Sequence, residues 1–68
     1  MEARELRLIS EDELGGREEE LRAELTKLIL ARNARRLDKP ARLGQVRRDL
    51  ARVLTVRAEK RRQARQGS

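Results

Sequence analysis

The chain contains no cysteine, no histidine and no aromatic residue, and a single proline among its 68 residues. Each absence removes a class of chemistry. Without cysteine there are no disulfides and no thiolate metal sites. Without histidine the commonest metal ligand and general base are missing, and a Ser-His-Asp triad cannot be assembled. Without aromatics there is no base-stacking platform of the kind that single-strand readers use. No apolar run approaches the eighteen or so residues of a membrane span, and no signal-peptide core opens the chain. The expectation is a soluble, cytoplasmic protein with no membrane partner and no cofactor.

What is present is charge, unevenly distributed. Residues 1–33 carry six Lys/Arg and nine Asp/Glu, a net −3, whereas residues 34–68 carry twelve and three, a net +9. Only Lys27, Lys39 and Lys60 of the eighteen cations are lysine. Arginine's planar fork suits bidentate contact with phosphate oxygens. A GC-rich genome would also favour arginine codons, but it would not cluster them. The basic half therefore points to a polyanion.

Periodicity is helical throughout, with no two-residue alternation. A short helical turn is expected over residues 3–8. Ser10 then caps a long helix, Glu13 closes the capping box and Ile9 staples onto Leu14. Gly15 and Gly16 weaken that helix by roughly 1 kcal/mol each relative to Ala. Leu14, Leu21, Leu25 and Leu28 share one face, with Ile29 nearby, and the helix should reach about residue 36. The break is Leu37-Asp38-Lys39-Pro40, since proline disfavours helical geometry before it and tolerates the first turn after it. A second helix is expected over 40–62, with Leu43, Val46, Leu50, Val53 and Leu54 on one face at coiled-coil spacing. So short a connection forces the two helices antiparallel. The fold class is all-α: a single hairpin domain over residues 1–68, with a tail fraying from about 63. About ten aliphatic side chains make a thin core, and a partner would add order.

The candidate polyanion contacts follow from placement. Arg35, Arg36, Lys39 and Arg42 lie at the bend, Arg47, Arg48 and Arg52 in mid-helix, and Lys60, Arg61, Arg62 and Arg65 at the end. The alternative, a solvated face balanced by i,i+4 acids, needs more than the Asp49 and Glu59 available there. Asp49 reads as an intrahelical partner of Arg48 or Arg52. Thr55 either touches phosphate or bonds back to its own helix. Leu30 and Val56 fall off the seam; a second contact surface, with protein first and RNA as the alternative, would explain them, although isolated exposed apolar residues are common.

Residues 45–55, Gln-Val-Arg-Arg-Asp-Leu-Ala-Arg-Val-Leu-Thr, resemble the signature segment of bacterial ribosomal large-subunit protein twenty-nine. Ala3-Arg4-Glu5-Leu6-Arg7 with Ser10-Glu11-Asp12-Glu13-Leu14 resembles that family's opening. Glu24-Leu25 and Leu28 match its first long helix, and Leu37-Asp38-Lys39-Pro40-Ala41-Arg42-Leu43 its bend. Two segments depart from the pattern. Leu28-Ile29-Leu30-Ala31 stands where the family has Leu-Arg-aromatic/Met-Gln, and Arg35-Arg36 where it has Gly-Gln. The resemblance implies a structural protein bound to large-subunit rRNA near the exit of the nascent-peptide tunnel. It also implies ribosomal protein twenty-three as neighbour, with targeting or chaperone factors docking alongside. Two rival classes remain: a coiled-coil protein-interaction module with incidental basic charge, and an enzyme holding an anionic substrate. The almost purely aliphatic seam disfavours the enzyme.

Overall fold

A computed structural model describes residues 2–66; Met1 and the end of the expected tail, Gly67 and Ser68, lie outside the described residues. Three helices follow one another: α1 over Ala3–Arg7, α2 over Glu11–Asn33 and α3 over Pro40–Gln66. The two long helices form an antiparallel hairpin, a rod of 50 × 17 × 15 Å. The direction is plain from the ties between them. Glu24 of α2 pairs with Arg42 near the bend, whereas Glu18 pairs with Arg57 further from it.

α2 begins where its capping sequence requires. The Ser10 hydroxyl accepts the Glu13 backbone N–H at 3.2 Å, and Glu11, Asp12 and Glu13 place negative charge in the first turn, where the helix dipole favours it. The glycine pair does not interrupt the helix. Ile9, just before the cap, packs against the core that contains Leu14, as a hydrophobic staple does.

α2 ends at Asn33, three residues before the expected end. Arg35 adopts a left-handed backbone with φ of 59°. The Arg36 N–H then donates to the Ala31 carbonyl at 2.7 Å, and the Arg35 N–H to that of Arg32 at 3.0 Å. This 6→1 and 5→2 pair is a Schellman ending, closed here without the usual glycine. α3 runs to Gln66 rather than stopping near 62. Gln63, Ala64 and Arg65 lack an apolar stripe, yet all three residue types have high helix propensity.

The core consists of Leu6, Leu14, Leu21, Val46, Leu50, Val53 and Val56, flanked by Ala3, Ile9, Leu25 and Leu28; Leu43 is buried as well. Two placements on α3 differ from a straight helical wheel. Leu54 is 39% exposed, whereas Val56, expected to lie off the seam and to meet another protein, is 0% exposed. The seam repeats at 43, 46, 50 and 53, a 3-4 spacing that drifts by about 20° per heptad relative to a straight helix. That drift turns Leu54 outward and brings Val56 to the buried flank. α1 then covers this flank. Its Arg7 donates to Glu59 at 3.1 Å, and Lys60 donates to the Arg7 carbonyl at 3.2 Å, which lays Leu6 in the same core cluster as Val56. Val56 is therefore unavailable to a partner.

Candidate nucleic-acid interface

The outward face of α3 follows from its seam. With 43, 46, 50 and 53 facing α2, Arg47 and Arg61 share one outward stripe with Leu54 between them, and Arg48 and Arg62 share the next with Thr55 between them. Fourteen residues at 1.5 Å per residue separate the two arginine pairs by about 21 Å. Between them lie Ala51, Leu54, Thr55 and Ala58, all exposed and all but Leu54 small. The face is a low surface with paired cations at each end, suited to a sugar–phosphate backbone lying along it.

Side-chain bonds fix part of this face. Gln45 donates to the Asp49 carboxylate at 3.0 Å, and Arg48 donates to the Gln45 amide oxygen at 3.3 Å. Arg52 lies 3.6 Å from the same carboxylate. Asp49 is buried, so it anchors a relay that orients Arg48 on one side and Arg52 on the other. The expected role of Asp49 as intrahelical partner is met through Arg52 directly and through Arg48 by way of Gln45. Thr55 donates its hydroxyl hydrogen to the Ala51 carbonyl at 2.9 Å, which leaves only its oxygen lone pairs for another group.

The bend carries the second cationic group. Arg35, Arg36, Lys39 and Arg42 are all exposed there. Arg42 also donates to Glu24 at 2.8 Å and so ties α3 to α2. Arg36, Lys39 and Arg42, with Asp38, rim a shallow cavity of about 310 Å³ whose floor is Leu28, Ala31 and Leu37. At the far end of α3, Arg61, Arg62 and Arg65 surround Ala58 in a groove of about 270 Å³. Lys60, expected among these contacts, instead reaches back to α1. Leu30 stands 63% exposed on α2.

Two residues escaped sequence reasoning. Leu8, in the turn between α1 and α2, is 84% exposed. Arg57 continues the seam spacing after 43, 46, 50 and 53, and that spacing was the signal that marked it. Arg57 donates to Glu18 across the hairpin at 2.7 Å, while Arg22 holds the same carboxylate from within α2 at 3.0 Å. Hydrogen bonds from Arg57 and then Arg22 hold the Glu18 carboxyl below the usual carboxylate range. The hydrogen bond from Arg7 likewise lowers Glu59 and raises Arg7 in return. These pairs serve the hairpin rather than a reaction. Among the described residues no group of three or more Asp or Glu converges as a metal site, and no helix is long and apolar enough to cross a membrane.

Residues 4–60 match the family model described as ribosomal L29 protein. The large ribosomal subunit protein uL29 of Hydrogenobaculum sp. (strain Y04AAS1) is 42% identical over 62 residues, which is 91% of this chain and 94% of that protein. The protein of the same name from Streptococcus pyogenes serotype M5 (strain Manfredo) is 45% identical over 56 residues, 82% of each chain. That of Streptococcus equi subsp. zooepidemicus (strain MGCS10565) is 46% identical over 55 residues, 81% of each. No solved structure matches the chain. The chain belongs to the ribosomal L29 protein family, and it is a structural protein of the large ribosomal subunit, not an enzyme.

Proposed function

We propose that the chain binds large-subunit rRNA through the outward face of α3 and the cationic bend, clamping RNA segments by their backbones. The observation that carries this reading is the repeat of paired arginines, Arg47 with Arg48 and Arg61 with Arg62, along one low face of a helix whose opposite face is buried. Arg35, Arg36 and Lys39 extend the contact to the bend, with Arg52 and Arg42 partly engaged by Asp49 and Glu24. Phosphate contacts of this kind position the protein without reading sequence. The proposed place is beside ribosomal protein twenty-three near the nascent-peptide exit, where targeting or chaperone factors dock. That location rests on the family resemblance, and Leu30 is the residue placed to meet a protein neighbour.

The rival coiled-coil module needs an apolar face for another chain. The seam of this hairpin is filled from within by α1 and α2, and among the described residues the large exposed apolar ones, Leu8, Leu30 and Leu54, belong to different elements or faces.

The test is co-sedimentation of the full chain with large subunits through a high-salt wash, together with an rRNA binding titration against salt. About six phosphate contacts predict a log–log slope near −5, borrowing the duplex relation. Retention on subunits with a steep slope supports the reading. A flat titration overturns the phosphate clamp.

A further inference from the structure

The shallow cavity at the hairpin bend has a chemistry that the arginine face of α3 does not share. The Schellman ending creates it. By stopping α2 at Asn33 and bonding the Arg36 N–H to the Ala31 carbonyl, it folds Arg36 and Leu37 back beside Leu28 and Ala31. Leu28, Ala31 and Leu37 are each left only partly buried, an apolar floor that the chain itself does not cover. The rim is Arg36, Lys39, Arg42 and Asp38. Glu24 engages Arg42, so Arg36 and Lys39 are the cations that face a ligand. At about 310 Å³ the cavity sits at the small end of the range for ligand sites, enough for one small planar group.

We propose that this cavity holds a single unstacked nucleotide of the bound RNA, its base on Leu28, Ala31 and Leu37 and its phosphate between Arg36 and Lys39. The inference rests on the rRNA-binding reading above and adds a base contact to it. Three features of the rim and floor select this occupant. The floor takes an apolar ring face, and the two cations take one anion. Asp38 supplies an acceptor for an exocyclic amine, as carboxylates do for cytosine, which favours adenine, cytosine or guanine over uracil. A peptide carboxylate would meet the two cations but bring no donor for Asp38. A purely apolar side chain would desolvate Arg36 and Lys39 without a partner.

The test uses the full chain assembled into large subunits with a photoreactive diazirine side chain at position 37. The expected result is a crosslink to one unpaired adenosine, cytidine or guanosine of the rRNA. A crosslink to a paired nucleotide, to a uridine, to a protein or to solvent alone overturns the proposal and leaves the phosphate clamp standing. A chain that never enters subunits overturns both. In a second arm, Ala31→Leu fills the floor while keeping high helix propensity. It should be retained about tenfold less than wild type when the two compete for subunits lacking the chain. Equal retention overturns the proposal.

Discussion

Arg57 Nη1 lies 2.7 Å from Glu18 Oε1, an ion pair set into the apolar seam of the hairpin. Arg57 occupies the seam position that follows Val53, and Gly15 lies opposite, where an added Cβ would come 3.8 Å from the guanidinium. Among the described residues its Nε is buried without a hydrogen-bond partner. A seam pair of this kind seldom stabilises more than apolar packing of similar volume, and breaking it from one side costs more than exchanging it. Exchanging both partners, Glu18→Leu together with Arg57→Leu, should therefore raise the melting temperature by a few degrees. Arg57→Ala should lower it, because the aliphatic stem is lost too. Thermal unfolding followed by circular dichroism checks both, and a double Leu variant melting below wild type would show that the pair outweighs the packing.

Acid should weaken the hairpin through Glu18 and Glu59. Both carboxyls are held below their ordinary range by arginine hydrogen bonds, so the native state favours the ionised form. Their contribution is complete above the ordinary carboxylate range, roughly pH 4. It declines as pH falls through that range and is gone below the depressed native values. Glu18→Gln should melt below wild type at neutral pH, with the gap closing in acid. A gap independent of pH would remove ionisation as the cause.

Arg35 holds a left-handed backbone that costs an L-residue roughly 1–2 kcal/mol. Glycine adopts it without a Cβ clash, at some cost in unfolded-state entropy. Arg35→Gly should stabilise the chain by about 0.5–1 kcal/mol, readable as a higher denaturation midpoint. The same change removes a cation from the bend, so rRNA affinity should fall while stability rises. Those opposite signs separate the two roles of one residue.

At Gly16 an added Cβ meets nothing within 4 Å, and the residue lies inside α2. Gly16→Ala should stabilise by about 0.5–1 kcal/mol through helix propensity alone. Urea unfolding should show a shifted midpoint with an unchanged slope.

Replacing Arg47, Arg61 and Arg62 together by alanine should leave the helices intact, since all three side chains are exposed. Binding to rRNA should weaken at every salt concentration, and the log–log slope should become shallower by about 2–3 units. Filter binding across a salt series measures this. An unchanged slope would place the phosphate contacts elsewhere on the chain.

Local chemistry made much of this molecule legible in advance. Ser10 three residues before Glu13 announces the start of α2, and Pro40 the start of α3. The recurrence of apolar residues from Leu43 to Val53 is enough to define the seam and, by exclusion, the arginine face outside it. Net charge and the lack of aromatics directed the reading toward backbone recognition of a polyanion. Each of these depends on interactions within a few residues.

Only the tertiary structure decided the rest, because most of the remaining features depend on residues far apart in sequence. Val56 is buried and Leu54 exposed because the seam drifts and α1 folds back over α3. Lys60 is drawn to Arg7 and Arg42 to Glu24 by helices that meet only after the hairpin closes. Arg57 became a cross-helix tie because Glu18 lies opposite it in the closed hairpin, a pairing 39 residues apart. The cavity at the bend exists because the left-handed turn at Arg35 folds Leu37 back beside Leu28. Local sequence sets which faces a helix has, whereas the packing of distant segments sets which of those faces remain open to a partner.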